Sequence, residues 1–433
     1  MNLSNPSEIR NAVVLVIDRL GANMLSAYGN TMFETENFNR LAARSIVFDH
    51  AIAPTTQLET AYQSFWSGRL KKKSLMEIAG AHGISSALLT DDEAIENHEL
   101  SRSFDRVIPI RTNSSTKLGS SVEQTELAGF FAQATQWLSA LEPGSLTWLH
   151  SRGLSGAWDA PYELRCRFAD SEDPDPPDFY QPPAKLFDKS SDDPDELLGY
   201  QQACAAQVMM LDDFLGVILD LMDDPAWEST LFCVMSPRGY PMGEHQIVGE
   251  LQASTDSTDA VDSDSSGYDD RKNEAAGSEN VLGMYSESVH VPLMVCMPNR
   301  KEFDEAKTVR NGSLVQTDWV FDLLSSWFAD LNEDSSFEQI WKSAALSLPR
   351  KRHEAAWVVG QGFRSIQTHA WKLITNGQHS ELFAKPDDRW EVNDVSRRCP
   401  QVVEDLAVIL DGICETGGLG GLELPEHLAI RYD

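Results

Sequence analysis

Apolar residues fall along this chain in two alternating patterns, short unbroken runs and longer stretches at helical spacing. The run AVVLVI at 12–17 has no polar interruption and ends at Asp18 and the turn-forming Gly21. A run without alternation predicts a strand buried on both faces, as in a parallel sheet. Further runs are SIVFDHAIA at 45–53, ISSALLT at 84–90, SLTWLH at 145–150, STLFCVM at 229–235 and VPLMVCM at 291–297. Between them lie helical patterns at 36–44, 74–81 and 123–141, the last with Leu127, Phe130, Phe131, Ala134, Trp137 and Leu138 at helical spacing. A long helix is predicted over about 195–222. Strands alternating with helices predict an α/β fold with a large, mostly parallel sheet flanked by helices.

Two polar stretches interrupt the pattern. Residues 169–196 are rich in Pro and Asp, and residues 252–280 in Ser and Asp. Neither holds enough apolar surface to offset the entropy of ordering, so both read as surface loops. The Asp spacing of the second lacks the full calcium-loop pattern and its closing Glu. After about residue 345 the pattern changes. Residues 355–395 break into short strand-like pieces between Gly, Asn and Pro, which predicts a small antiparallel sheet. The stretch 402–413 is an amphipathic helix, with Val403, Leu406, Leu410 and Ile413 on one stripe. The expected organisation is an α/β domain over 1–345, carrying the two acidic insertions, and a small subdomain over 346–433.

Charge narrows the partners. The 433 residues carry 35 Lys and Arg against 67 Asp and Glu, a formal net charge of −32. That field opposes nucleic acid, anionic membranes and polyanions at long range, while leaving room for a local basic pocket. No apolar run approaches the ~20 residues of a membrane span. The opening MNLSNPSEIR lacks the features of a secretory signal, so the expected location is the cytoplasm. The six cysteines are scattered, with no C-x-x-C pair, which argues against a disulfide framework or a zinc site.

Seven segments, in order, carry a resemblance. NAVVLVIDRLGANMLSAYGN at 11–30 and IAPTTQLETAYQSFWSGR at 52–69 resemble the opening of the sulfatase family, within the alkaline-phosphatase superfamily, and LAARSIVFDHAIAPTTQ at 41–57 resembles its stretch from the first helix into the nucleophile loop. YQQACAAQVMMLDDFLGVILDLM at 200–222 is similar to the family's helix Y-x(11)-D-x-x-[ILV]-G. STLFCVMSPRGYPMGEH matches the strand that in the family ends S-D-H-G, and MYSESVHVPLMVCMP resembles Y-E-E-S-x-R-V-P-L. The tail from FRSIQTHAWKLI to SELFAKPDDRWEVNDV is similar to the family's C-terminal sheet. The resemblance implies an alkaline-phosphatase-like α/β fold with a small C-terminal antiparallel sheet and helix, sulfuric ester hydrolysis, and a calcium or magnesium ion.

The reacting groups that the resemblance leads one to expect are missing. Ester hydrolysis needs a nucleophile, a metal and donors for the developing charge. Counting back from Gly68, Leu58 stands at the nucleophile position, Thr60 at the following Pro and Tyr62 at the Arg. The first metal-ligand pair is Asp18-Arg19, so one carboxylate remains, and the second is Pro237-Arg238. The family's cationic positions fall at Asp91, Glu93, Asp159 and Glu250, and His245 survives. One carboxylate does not hold a divalent ion against water, so no metal or other cofactor is expected. A buried Asp18 needs a counter-charge once the ion is gone. Arg238 stands where a ligand stood and predicts a contact with Asp18, with Arg19 as the competing partner.

The leading expectation is therefore a degenerate member of the family acting in binding or regulation. A hydrolase with a relocated site, using Thr56 or Thr60 with His245, is the first alternative. A scaffold subunit for an active sulfatase-like enzyme is the second, with a protein as its partner.

Overall fold

The computed structural model describes residues 10–69, 73–112, 114–188, 190–249, 284–298, 309–329, 355–360, 362–416, 418 and 424–429. The acidic stretch 252–280 and Glu250 lie outside the described residues.

Fourteen strands are seen among these residues. They are β1 (Asn11–Ile17), β2 (Ile46–Ile52), β3 (Ser85–Thr90), β4 (Arg106–Pro109), β5 (Ser145–Ser151), β6 (Lys185–Leu186), β7 (Thr230–Met235), β8 (Ile247–Val248), β9 (Leu293–Cys296), β10 (Val309–Gln316), β11 (Ala355–Val359), β12 (Arg364–Thr368), β13 (Trp371–Thr375) and β14 (Ser380–Ala384). Eight form one sheet in the order β10-β2-β9-β7-β1-β5-β3-β4. Central β1 pairs in parallel with β5 and β7, and all seven of its residues are buried. Each large aliphatic side chain buried this way contributes about 1.5–3 kcal/mol of transfer free energy. Reading β1 as a strand covered on both faces therefore holds.

One strand departs from the parallel pattern. β9 runs antiparallel to both neighbours, β2 and β7. Its run, like those of parallel strands, is apolar without alternation, because it too is covered on both faces; direction leaves no mark in such a run. β10 and the helix Trp319–Ala329 extend the fold beyond the elements read from periodicity.

The helix Pro194–Leu221 spans 28 residues, starts with Pro in its first turn and is capped by Asp193. Its family-like motif has a physical reason. Asp212 is buried in mid-helix and accepts from the backbone N–H of Asn37 (3.0 Å) and Phe38 (2.8 Å), at the start of the helix Glu36–Ala42. One carboxylate thus satisfies the open donors of a second helix. A Cβ on Gly216 would lie 2.7 Å from Asn37 Oδ1, so glycine is what lets the two helices meet.

The stretch 169–196, read as a surface loop, is tied to the body. Buried Arg165 donates to the carbonyls of Phe179 (2.8 Å) and Trp158 (2.6 Å), and Trp158 N–H donates to Tyr180 O (2.7 Å). Backbone hydrogen bonds to a buried guanidinium order the segment where apolar area is scarce.

Strands β11–β14 form the small antiparallel sheet, and the helix Pro400–Thr416 covers it through Leu406, Ile409, Leu410 and Ile413. No helix among the described residues is long and apolar enough to cross a membrane.

Candidate functional site

Strands β7, β1, β5 and β3 lie side by side and parallel, so their C-terminal ends share one edge of the sheet. In open α/β sheets that edge is where ligands bind. The residues leaving it are Arg238 after β7, Asp18 after β1, Arg152 after β5 and Asp91 after β3. Asp18 is fully buried. Arg238 grips it as a fork, Nε to Oδ1 and Nη2 to Oδ2, each at 3.0 Å. Its Nη1 also donates to Thr56 O at 3.3 Å. The contact expected from the sequence is thus present. Burial alone would push the Asp18 carboxyl up, but the charge and hydrogen bonds of Arg238 outweigh it and hold the group at about 2.

The rival partner turns elsewhere. Arg19 takes a left-handed backbone, φ 66°, and its Nη1 donates to Gly239 O at 3.2 Å. A positive φ in a non-glycine residue is held only where its surroundings fix it. Gly239 is itself required, because a Cβ there would lie 2.1 Å from Glu287 O, and its N–H donates to Ser288 O at 2.7 Å. Pro237, between Ser236 and Arg238, is buried and brings no ligating atom.

Leu58 begins the helix Leu58–Ser67 and is partly buried against the core. Tyr62, one turn later, is fully buried among Phe65, Trp66 and Trp148. Its hydroxyl meets Nδ1 of buried His150, and His150 Nε2 stands 3.6 Å from Asp92 Oδ2. Burial pushes the Tyr62 phenol well above its ordinary range, so it is a neutral hydrogen-bonding group rather than a phenolate. Asp91 accepts from Arg152 N–H at 2.8 Å, and burial lifts its carboxyl to about 6. The chain Tyr62–His150–Asp92 escaped the sequence reading. Its only signal is a histidine near the end of the run SLTWLH, which by itself reads as a core residue.

The remaining candidates separate. Thr60 is exposed and donates to Gln57 Oε1 at 3.3 Å, while Thr56 lies beside Gly360. His245 sits against other groups altogether. Its Nδ1 pairs with Glu287 Oε1 at 2.6 Å, its Nε2 with Glu391 O at 3.0 Å, and its ring stacks on Tyr285 at 3.6 Å. Burial opposes its charge, but Glu287 prevails and raises its pKa. Asp159 is buried at the start of the helix Glu126–Leu138, which Thr125 caps, and accepts from Glu126 N–H at 2.8 Å and from the Ser115 hydroxyl. Glu93 is exposed on the short helix Glu93–Glu96.

The divalent ion implied by the family does not fit these residues. Both Asp18 oxygens face the Arg238 guanidinium, a fixed positive charge. Among the described residues no group of three or more His, Cys, Asp and Glu is placed to hold a metal ion.

The comparisons with known proteins agree with this fold. A family model described as sulfatase matches residues 10–329. No curated protein matches the chain in sequence. Among solved structures, the fold is similar to a phosphonate monoester hydrolase of Agrobacterium radiobacter, with a TM-score of 0.66, 14% identity and coverage of 98% of this chain and 100% of that one. It is similar to BT4656, solved with its substrate D-glucosamine-2-N,6-O-disulfate, at TM-score 0.65 and 13% identity, over 94% of this chain and 98% of that one. It is also similar to BT1596, a 2-O GAG sulfatase, at TM-score 0.63 and 15% identity, over 95% and 93% of the two chains. At such identities the likeness concerns fold alone.

Proposed function

This chain belongs to the sulfatase family, and from that premise we propose that it has lost ester hydrolysis and acts by binding or regulation. The observation that carries this reading is the forked Asp18–Arg238 pair. A guanidinium stands where hydrolysis needs a polarising metal, and it neutralises the one carboxylate that remains. Leu58, at the position of the attacking group, offers no lone pair. Asp91, leaving β3 at the same sheet edge as Asp18, brings a carboxylate where an ester's oxygens need a cation.

A relocated hydrolase needs His245 as a base for a threonine hydroxyl. Both ring nitrogens of His245 are engaged, with Glu287 and Glu391 O, and this weighs against that alternative.

Metal analysis of the purified protein, run beside assays with aryl sulfate, phosphate and phosphonate esters, tests the proposal. Substoichiometric calcium and magnesium without turnover is the expected result. Stoichiometric metal with turnover that Asp18→Ala abolishes would overturn it.

A further inference from the structure

A cavity of about 630 Å³ opens between the edge of the large sheet and the C-terminal sheet, within the size range of small-molecule sites. His50 on β2, Arg310 on β10, His290 ahead of β9, His369 between β12 and β13, and Arg389 with Trp390 after β14 line it. The chain has 67 acidic against 35 basic residues and ten histidines. Three of those histidines and two arginines meeting at one cavity runs against the bulk composition, so the cavity differs in character from the surface around it.

Most of the charge there is already matched. Arg310 forks onto Asp49, with Nε at 2.8 Å. Glu287 holds His245, and Lys385 binds Glu391 at 2.6 Å. Burial, with Glu287 nearby, pushes the Glu244 carboxyl up toward its neutral form. Arg389 has no carboxylate partner among the described residues, and its guanidinium lies 5.0 Å over the Trp390 ring. Trp390 is 54% exposed, a large aromatic face left at the mouth of a polar cavity.

The histidines add donors. His50 makes no hydrogen bond among the described residues, and its ring faces those of His290 (6.2 Å) and His369 (6.3 Å). Burial, reinforced by His369, keeps His50 below its ordinary pKa, so it waits as a neutral N–H donor. His290 is held by burial at about 4 and is fixed to Asp49 O at 2.8 Å. Gln367 Oε1, also at the cavity, is buried without a hydrogen-bond partner. A polar cavity with unused donors, an unused acceptor and an exposed ring is built for a ligand that carries the complements.

We propose that this cavity binds a small organic anion with a ring body, its oxyanion held by His50 and Arg389 and its ring stacked on Trp390. The site is separate from the Asp18–Arg238 pair and does not depend on whether hydrolysis has been lost.

Titration calorimetry with phenylphosphonate tests it, because that probe joins an oxyanion to a ring through a bond ester hydrolysis does not cleave. Inorganic phosphate supplies the charge alone, and benzyl alcohol the ring alone. Phenylphosphonate is expected to bind about tenfold more tightly than phosphate, and benzyl alcohol not measurably. Arg389→Ala should weaken phenylphosphonate about tenfold, as loss of a charged hydrogen bond does. Trp390→Ala should weaken it about fivefold through lost stacking. Both side chains are exposed, so these variants keep the fold. Asp91→Asn, at the edge near Asp18, should leave the affinity unchanged. Absent binding, unaltered binding by Arg389→Ala, or loss of binding in Asp91→Asn would each overturn the proposal.

Discussion

At the scale of single residues, Asp18 and Arg238 determine one another. Removing the cation leaves a carboxylate with no exposure to water, so Arg238→Ala should destabilise the protein by about 3–5 kcal/mol in urea unfolding. Asp18→Leu combined with Arg238→Met removes both charges and should cost less than either single change. The pair also fixes a pH response. Asp18 falls from an ordinary 3.8 to about 2, and Glu391 from 4.5 to about 2, where burial is outweighed by Lys372 and Lys385. A depressed carboxylate adds stability that is full above its unfolded pKa and is lost as pH falls through the folded one. Each therefore contributes on the order of 2 kcal/mol at neutral pH, lost between about pH 4.5 and 2. Urea midpoints measured at pH 6, 4 and 3 should drop over that range, and drop less in the Asp18→Leu, Arg238→Met double variant. At this scale the sequence was most informative where a residue type is chemically decisive. Leu58, Pro237 and Arg238 announce what they lack by identity alone. Tyr62, His150 and Asp92 are 30 to 88 residues apart and meet only through the order of β3, β5 and the helix after β2.

At the scale of elements, the C-terminal sheet gathers its lysines around one carboxylate, and that carboxylate also ties it to the body by accepting from Ser286. Glu391, at φ 57°, points its carboxylate between Lys372 (3.0 Å), Lys385 (2.6 Å) and Ser286 N–H (2.9 Å). Glu391→Gln leaves two buried ammonium groups short of a counter-charge. Hydrogen exchange in β12–β14 should rise, with the strands of the large sheet unaffected. Thr125→Ala removes the cap on the helix Glu126–Leu138, where its hydroxyl accepts from Ala128 N–H at 3.2 Å, and should cost about 1 kcal/mol in thermal unfolding. Apolar periodicity revealed β1, β5, β7 and the long helix because each buries a continuous surface. It gave no sign of the Lys372–Glu391–Lys385 cluster, since a pairing between polar residues in different elements has no period.

At the scale of the whole molecule, the net charge of −32 makes self-repulsion a general term. The melting temperature should therefore rise as sodium chloride goes from 10 to 500 mM, a range that shortens the screening length from about 30 Å to under 10 Å. A falling melting temperature would mean that specific ion pairs outweigh the general repulsion. The reversal of β9 has a wider effect. Because it runs against its neighbours, the segment that enters it arrives at the functional edge. That segment gives Ser288 O to Gly239, beside Arg238, and two residues later it gives His290 to the cavity wall. A single short stretch of backbone is thus a partition shared by two compartments, and pressure on one side is felt on the other. The Gly239 amide is a reporter for that transmission: His290→Ala should change its exchange rate although His290 never touches it.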